Sequence, residues 1–429
     1  MEGRVDVVVY GATGFTGERI LQVFVESDLF KDKPIAVSGR SESKLQKLLD
    51  DIAEKTGRPS VRSLPIFVAS TDDAESLAAM ARGTRLVINA VGPFRLHGEP
   101  VVRAAVENGA HYIDVAGEPA FIEKMQQQYD GLAREKGVCV VGACGWDCIP
   151  CDLGVDLLKR KFDGTLAFVE TVIQHHRGPA GYSFNATTFE SLMLGLSSME
   201  EDDLGGVRRS IMPQKMPKTK HRPPERPTLW HLKEKHLYTW TLPFVGADKP
   251  TVQRSQYYDY VENEKWPVQV STYCAMSSLF WASAVAAWMA SISVLSSYET
   301  PRKFLMNHPE LASGYTFKTA GPSQEQMEQS SCSFFVFGTG WERGERPGDE
   351  TTPRRKEALV CRGPDPGYIG TAGCVASATL AILNDTASLP PSGGVITSAS
   401  AFGNTNIYEY LRQFGITFEF LPTELSSKM

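Results

Sequence analysis

The chain of 429 residues is 42% hydrophobic and 22% charged, which is typical of a globular protein with a sizeable core, and its length predicts two or three domains. The net charge of -6 gives no support to nucleic-acid binding. The eight cysteines lack the spacing of a secreted disulfide framework, and the N-terminus predicts a strand rather than a signal peptide, so we expect an intracellular protein with reduced thiols.

The first predicted element is an apolar strand at residues 7–10, followed by three regularly spaced glycines and a helical pattern from Glu18. This order is typical of the turn that holds the phosphates of a dinucleotide. The glycines permit the turn, the close approach of a pyrophosphate and the packing of helix on strand. The predicted cofactor-binding residues of the turn are Gly11, Thr13, Gly14, Phe15, Thr16 and Gly17. A glycine turn without a ligand is the alternative, which the flanking strand and helix disfavour.

Strand and helix patterns alternate through the rest of the first part of the chain. Further strands are predicted at residues 35–38, 65–68, 86–90, 112–115 and 138–141. Because these strands are almost entirely apolar, they predict a doubly wound parallel sheet that is covered on both faces. We assign residues 1–154 to this α/β domain of Rossmann type.

The pattern changes after the first domain, and a second, α+β domain is predicted over residues 155–370. It includes a basic, proline-containing surface loop at 208–235. Residues 371–429 are predicted to add helices that pack back on the core. The predicted elements are strands at 168–173, 333–338 and 357–361 and helices at 370–384 and 406–413.

The end of the second strand distinguishes an NAD site from an NADP site. An NAD site has Asp or Glu there for the ribose 2′-hydroxyl, whereas an NADP site has a cation for the 2′-phosphate. Arg40 stands at this position, and we predict NADP(H) as the cofactor. The predicted contacts at this point are Ser38, Gly39, Arg40, Ser41 and Lys44. The alternative is that Arg40 is an ordinary surface arginine.

Polar groups follow the next strands at the edge where an open parallel sheet binds its ligands. Asp147 is the first candidate for a proton donor, Glu118 is the second, and Asp114 is predicted to contact substrate. Asp152 is expected to cap the helix that follows it. The fourth strand ends in a turn that is predicted to bind the nicotinamide side of the cofactor. The alternative is that this turn only ends the strand. The residues of the turn are Asn89, Ala90, Val91, Gly92 and Pro93.

Motifs of other enzyme classes are missing from the sequence. No tyrosine has a lysine four residues later, which argues against the alcohol–ketone mechanism of short-chain dehydrogenases. Cys148 and Cys151 have the spacing of a redox or metal pair. Because no further ligand lies near them in the sequence, we predict packed thiols at a helix start and no metal site.

Several motifs occur in order over essentially the whole chain. They are GATGFTG at 11–17, SGR at 38–40, VGPF at 91–94, GEP at 98–100, IDVAGEP at 113–119, GWDCIPCDLG at 145–154, GP with GY in 363–368, GGV at 393–395 and AF at 401–402. Together they resemble the saccharopine dehydrogenase-like oxidoreductases and, more distantly, bacterial trans-acting enoyl reductases. The resemblance implies an NAD(P)-dependent oxidoreductase in which Thr188 and Ser191 bind substrate near the nicotinamide from the second domain.

The chain departs from the family pattern at two places. Ser70 stands where the family often has an aspartate near the adenine, and Cys148 and Cys151 stand where it usually has serines. The first change removes one expected adenine contact, and the second argues against an essential thiol. The resemblance does not make saccharopine the substrate, because no arginine cluster for a dicarboxylic amino acid is evident in the second domain.

Residues 266–298 contain no Asp, Glu, Lys or Arg, and the apolar run within them is long enough to span a bilayer. A core helix or hairpin, a spanning helix and a helix lying in a membrane or lipid-droplet surface are all compatible with this run. Its many serines and the nine Lys and Arg residues at 208–235 favour surface attachment through residues 270–298. The C-terminal residues 427–429 differ by one residue from a peroxisomal signal.

These features favour an NADPH-dependent reductase that acts on a small apolar or lipid-like substrate. The alternative is a nucleotide-binding scaffold on a membrane or lipid droplet with little turnover. The sequence leaves the reduced bond and the oligomeric state open.

Overall fold

The computed structural model describes residues 3–345, 347–348 and 351–422. The peroxisomal-type residues 427–429 lie outside the described part of the chain. The strands are β1 (Val5–Tyr10), β2 (Ile35–Gly39), β3 (Ile66–Val68), β4 (Thr84–Asn89), β5 (His111–Asp114), β6 (Cys139–Val141), β7 (Gly164–His176), β8 (Phe184–Asn185), β9 (Trp230–Glu234), β10 (Leu237–Pro243), β11 (Gln269–Met276), β12 (Phe317–Lys318), β13 (Ser331–Glu342), β14 (Arg355–Pro364), β15 (Gly394–Ile396) and β16 (Thr417–Phe420).

Sixteen α-helices connect and cover these strands in the described residues. They are α1 (Phe15–Glu26), α2 (Glu42–Thr56), α3 (Ala74–Arg82), α4 (Phe94–Glu107), α5 (Pro119–Lys136), α6 (Cys148–Lys161), α7 (Ala186–Ser197), α8 (Leu204–Ile211), α9 (Asp248–Asn263), α10 (Leu279–Ser296), α11 (Glu299–Asn307), α12 (Pro309–Ala312), α13 (Gln324–Glu328), α14 (Ile369–Asn384), α15 (Ser398–Phe402) and α16 (Ile407–Gln413). Short 3-10 turns lie at Asp28–Phe30, Pro59–Ser63 and Thr386–Ser388.

The first sheet has seven strands in the order β15-β6-β5-β4-β1-β2-β3, and every described pair in it is parallel. Its central strands are buried on both faces, as Val7, Val8 and Val9 show with no exposed surface. Helices supply the covering layers because parallel strands must be joined by crossovers. The predicted Rossmann-type α/β sheet is confirmed.

The second sheet has the order β16-β14-β13-β7-β11-β10-β9, in which only β7 and β11 pair in parallel. The predicted second α+β unit is therefore present. Helix α6 runs without a break through residue 154 and packs on β13 and β14 of this sheet. The chain thus passes from one sheet to the other inside a helix rather than through a linker.

The C-terminal part of the chain contributes strands as well as helices. β15 pairs with β6 at the edge of the first sheet, and β16 pairs with β14 at the edge of the second. β15 has only three residues, too few for a strand pattern to be visible in the sequence. The buried helix α14 packs on α1, which brings a segment from the C-terminal part of the chain against the first domain.

Two expectations about single segments are corrected by the structure. Residues 270–276 are part of β11, which is hydrogen-bonded on both sides, so the charge-free run is a strand and a helix rather than one element. The basic stretch 208–235 is not a loop throughout, because it includes the end of α8 and all of β9. Two of its arginines are also engaged in ion pairs, Arg208 with Glu123 and Arg226 with Glu170.

We expect Gly17→Ala to destabilise the fold, because its Cβ would lie 2.2 Å from the carbonyl oxygen of Gly11. Relief of this overlap requires α1 to move away from β1, at a cost of about 1–3 kcal/mol in the free energy of unfolding. Gly131→Ala is the matched control, because Gly131 lies in α5 with no atom within 4 Å of the added Cβ. Denaturant unfolding that showed equal stability for both variants would contradict the close approach.

Candidate active site

The carboxyl ends of the parallel strands open into a cavity of about 1050 Å³. β1 lies between β2 and β4, so the chain crosses to opposite sides of the sheet at this point, where such folds bind ligands. Helix α7 and residues 244–248 of the second part of the chain form the facing wall. Segments that connect the strands of the first sheet and segments that connect the strands of the second sheet therefore both line the cavity.

The glycine turn has the shape that a phosphate cradle requires. Gly11 has φ +82°, and a Cβ on it would lie 2.5 Å from a methyl group of Val91. A Cβ on Gly14 would meet only one atom, at 3.2 Å, so its free side is open to the cavity. Thr13, Phe15 and Thr16 line the same side, and α1 begins at Phe15 with its N–H groups available. These residues fit the pyrophosphate of a dinucleotide.

Arg40 lies at the rim of the cavity, exposed, and no described residue hydrogen-bonds or ion-pairs with it. Gly39 lines the cavity beside it. Ser38 is turned away, because its hydroxyl donates to the carbonyl of Phe67 at 2.8 Å. Ser41 caps α2 by accepting the N–H of Lys44 at 3.4 Å. Of the residues predicted at this point, Arg40 is the free cation that a 2′-phosphate would require.

The turn after β4 approaches the glycine turn. Ala90, Val91 and Gly92 line the cavity, and Pro93 follows a cis peptide bond. The Asn89 side chain is buried: it accepts the N–H of Val91 at 3.0 Å and donates to the hydroxyl of Tyr112 at 3.1 Å. Asn89 therefore shapes the turn, and its neighbours provide the cavity surface.

Asp114 does not reach the cavity, contrary to its predicted contact with substrate. It is 1% exposed, and one of its oxygens accepts the N–H groups of Ala116 at 2.9 Å and Ala143 at 2.8 Å. Burial raises the pKa of Asp114 to about 6. The residue holds together the loops that follow β5 and β6.

Glu118 lines the cavity, but both of its oxygens are engaged. Oε1 accepts the N–H of Phe94 at 2.8 Å and the hydroxyl of Ser191 at 2.9 Å, while Oε2 accepts the N–H of Arg95 at 3.0 Å. Pro93 provides no side-chain cap for α4, so Glu118 supplies that cap from another element. It also joins α4 to α7 through Ser191.

Asp147 faces the cavity with a carboxyl group that no described residue hydrogen-bonds. It is the N-cap residue of α6 in a sparsely populated backbone conformation, with φ +56° and ψ -79°, and its side chain makes no cap hydrogen bond to the helix. Burial raises the pKa of Asp147 to about 6.

Asp248 lines the same cavity from the first turn of α9 and was missed by the sequence reasoning. Nothing in its local sequence marks it, because its place at the site depends on the fold of the second part.

The cysteines near Asp147 are packed inside the protein. The Cys148 thiol donates to Oδ1 of Asp248 at 3.4 Å, and the Cys151 thiol approaches the hydroxyl of Thr171 at 3.9 Å. Burial raises the pKa of both thiols, which keeps them protonated and unreactive. Among the described residues there is no cluster of His, Cys, Asp or Glu that could hold a metal ion.

The wall opposite the glycine turn is mainly apolar. Its side chains are Phe94, Phe184, Leu192, Leu196, Met199, Phe244, Val245 and Phe317. Thr188 lines it as an exposed residue of α7, and Ser191 lines it while bonded to Glu118. Asp202, after α7, holds this wall to the first domain through a two-point pair with Arg95 at 2.8 and 2.6 Å and a pair with Lys124 at 2.9 Å.

The fold and the cavity define a dinucleotide-binding protein of Rossmann type. Residues 7–141 match the family model of the saccharopine dehydrogenase NADP binding domain. The chain is 48% identical to the lipid droplet localized protein of Caenorhabditis elegans, with 97% of this chain and 98% of that protein covered. It is 35% identical to the human saccharopine dehydrogenase-like oxidoreductase, with 97% of each covered. The chain belongs to the saccharopine dehydrogenase-like oxidoreductase family and is an NAD(P)-dependent oxidoreductase with NADP(H) as its cofactor.

Two more distant matches agree with this assignment. The chain is 27% identical to a putative trans-acting enoyl reductase of Mycobacterium tuberculosis, with 98% of each covered. The structure of apo saccharopine dehydrogenase (L-Glu forming) from Saccharomyces cerevisiae matches over 97% of this chain and all of its own, with a TM-score of 0.54 at 13% identity. That second match shows a shared fold.

We expect NADPH to bind more tightly than NADH, and Arg40→Asp to reduce this difference by about 1.5–3 kcal/mol, the usual contribution of a charged hydrogen bond. Lys47→Asp makes the same change of charge on an exposed residue of α2 outside the cavity. Titration of the intrinsic protein fluorescence with each cofactor measures the affinities. Equal affinities for NADPH and NADH in the unmodified protein would contradict the role of Arg40.

Proposed function

We propose that the protein reduces an apolar or lipid-like substrate with NADPH. One observation carries this proposal: the glycine cradle, Arg40, Asp147 and an apolar wall all line a single cavity. Arg40 follows β2 and Asp147 follows the loop after β6, four strands away, which is about 19 Å at the usual strand spacing. An extended dinucleotide is long enough to lie along this edge, and the apolar wall then supports a hydrophobic substrate at its far end.

In this proposal Asp147 donates the proton, and the reduced cofactor supplies a hydride when it is bound. Asp147 is suited to this step because its carboxyl is free, faces the cavity and has a raised pKa. Glu118 is less suited, since its oxygens already accept two backbone N–H groups and a hydroxyl. We assign to Glu118 the positioning of α4 and of Ser191, and to Thr188 a contact with substrate.

We further propose that the protein docks on a lipid surface through an apolar face formed by α10, α11 and α12. Helix α10 is the one helix in the described residues that is long and apolar enough to cross a bilayer, yet only Ala282, Ile292 and Ser296 of it are buried. The exposed side chains of this face are Leu279, Phe280, Trp281, Val294, Leu295, Tyr298, Phe304, Leu311 and Tyr315. A large exposed apolar face on one side is typical of an interaction surface.

The packing of α10 favours a helix that lies on the surface over one that crosses the bilayer. Its inner face packs on α7 through Phe189, Met193 and Ile292, and the Trp288 indole donates to the carbonyl of Ala312 at 2.9 Å. Ser291 donates back to a carbonyl of its own helix, which lowers the cost of placing its hydroxyl near lipid. The name of the relative from Caenorhabditis elegans, a lipid droplet localized protein, supports the same location.

The docking face and the apolar cavity wall lie on two sides of α7, since α7 lines the cavity and packs on α10. A substrate dissolved in the lipid would therefore have a short path to the cofactor. The 208–229 part of the basic stretch adds less to docking than its composition predicts, because Arg208 and Arg226 form ion pairs within the protein, with the buried Glu123 and the partly buried Glu170.

Turnover is tested by NADPH oxidation with ethyl trans-2-hexadecenoate for C=C, methyl pentadecyl ketone for C=O and 2-undecyl-1-pyrroline for C=N, each presented in phosphatidylcholine vesicles. We expect one of them to be reduced, and Asp147→Asn to lower kcat by about 10²–10⁴-fold, the usual contribution of a general acid, with NADPH binding kept. Glu118→Gln should lower the melting temperature, because an amide nitrogen cannot accept a backbone N–H.

If NADPH binds but none of these compounds and no lipid extract is reduced, the scaffold alternative is favoured over the reductase. Full turnover in Asp147→Asn would remove the proton-donor assignment.

Docking is tested by flotation of the purified protein with triolein droplets coated with phosphatidylcholine. The double variant Phe280→Glu and Val294→Glu should float at least about tenfold less, because each wild-type side chain contributes about 1.5–3 kcal/mol when removed from water. The control, Leu29→Glu with Val261→Glu, adds the same charge at exposed apolar positions elsewhere. Absence of flotation by the intact protein would contradict docking, and resistance to carbonate extraction would indicate insertion across the bilayer.

A further inference from the structure

Asp248 is an almost fully buried acid that has an oxygen without a partner. It is 1% exposed and lines the cavity. Its Oδ1 accepts the thiol of Cys148 at 3.4 Å, whereas no described residue hydrogen-bonds to its buried Oδ2. A buried ionised oxygen without a donor is costly, so this carboxyl is in a site that favours a bound proton.

Asp147 is close to this carboxyl, because Cys148, which contacts Asp248, is the next residue of the chain. The two acids differ in exposure: Asp147 is half-buried and Asp248 is almost fully buried, and both line the cavity. Neither accepts a backbone N–H or pairs with a basic side chain in the described residues, unlike Asp114 and Glu118.

The titratable groups that face the two acids are themselves acids or thiols. They are Cys148, Cys151 and Asp152 on α6, Cys332 on β13 and Cys374 on α14. Asp152 is already engaged with the hydroxyls of Ser255 and Ser398 and the N–H of Ala399. The buried guanidinium of Arg254 on α9 interacts with Cys148 and Asp152. Among the described residues no basic side chain forms an ion pair with Asp147 or Asp248, so neither carboxylate has a directly paired positive charge.

We propose that Asp147 and Asp248 share a single proton at neutral pH, and that Asp248 is a positioning residue that keeps this proton available on Asp147 for transfer to the substrate. The proposal rests on the proposed function, since it deepens the role of the same site.

The electrostatics of the two groups agree with this geometry. Burial raises the pKa of Asp147 to about 6, and burial together with the negative charge of Asp147 raises the pKa of Asp248 well above its ordinary value. Two like charges in one buried site cannot both form readily, so the pair keeps one proton to a higher pH than either carboxyl alone.

The step balances with one hydride and one proton. NADPH, when bound, would supply the hydride to one atom of the substrate double bond and would become NADP⁺. The O–H bond of the carboxyl pair breaks, and the proton forms a new bond to the other atom of that double bond. The pair is left with two negative charges and regains a proton from water, which the repulsion between the charges favours.

The first test is the pH profile of kcat for Asp248→Asn with the compound of the substrate panel that the unmodified protein reduces. Because the like charge is removed, we expect the alkaline limb of the profile to move about 1–3 pH units toward acid. Asp156→Asn is the control, as Asp156 is a partly buried acid of α6, the helix that follows Asp147, and lies outside the cavity. The alkaline limb of the Asp156→Asn profile should not move. A uniform fall in kcat with an unmoved limb in Asp248→Asn would show a merely structural role and overturn the proposal.

The second test needs no substrate. Infrared difference spectra at about pH 7.5 compare the NADP⁺-bound protein with Asp248→Asn, and we expect the variant to lose one protonated-carboxyl C=O band. Asp156→Asn should lose a carboxylate band instead, because burial places the pKa of Asp156 at about 6. An unchanged protonated-carboxyl band in Asp248→Asn would overturn the shared proton even if turnover is found. Loss of this band in Asp248→Asn, together with an absence of turnover by the unmodified protein, would support the shared proton and contradict the proposed function.

Discussion

Carboxylates that accept backbone N–H groups hold in place the loops around the cavity. Asp114 joins the loops after β5 and β6, Glu118 caps α4, and Asp365 caps α14 through the N–H groups of Tyr368 and Ile369 at 2.7 and 2.9 Å. Each bond places a negative charge where N–H groups converge, which stabilises both the charge and the loop. Asp147 and Asp248 lack such bonds among the described residues. The contrast separates the acids that maintain the site from the two acids that we propose for proton transfer.

The same contacts explain how two sheets build one cavity. The first sheet supplies the glycine turn and the free arginine, and the second part supplies the apolar wall on α7. The ion pairs of Asp202 with Arg95 and Lys124 fix this wall; although burial opposes its ionisation, they lower the pKa of Asp202. Phe15 packs edge-on against Tyr368 at 4.6 Å, which joins the glycine turn to α14.

The features predicted from the sequence are those that nearby residues determine. The glycine spacing, the apolar strands and Arg40 are local patterns, and the structure places them where the patterns indicate. Asp248, β15 and the cap role of Glu118 depend on contacts between distant segments, so no local pattern could reveal them. The prediction that residues 270–298 form a single element was only partly correct. Hydropathy does not separate a buried strand such as β11 from the helix that follows it. The predicted contact of Asp114 with substrate was wrong, because the position of this residue at a strand end does not show that its carboxylate accepts backbone N–H groups.

We propose that hydride passes from NADPH to a lipid-like molecule in this cavity. The most direct measurement incubates the protein with NADPH deuterated at the transferable position and with a lipid extract, and follows the lipids by mass spectrometry. We expect one lipid species to gain a single deuterium, at a rate that falls when Asp147 is replaced by Asn. Tight NADPH binding without deuterium in any lipid would contradict lipid reduction and would leave the protein as a nucleotide-binding scaffold.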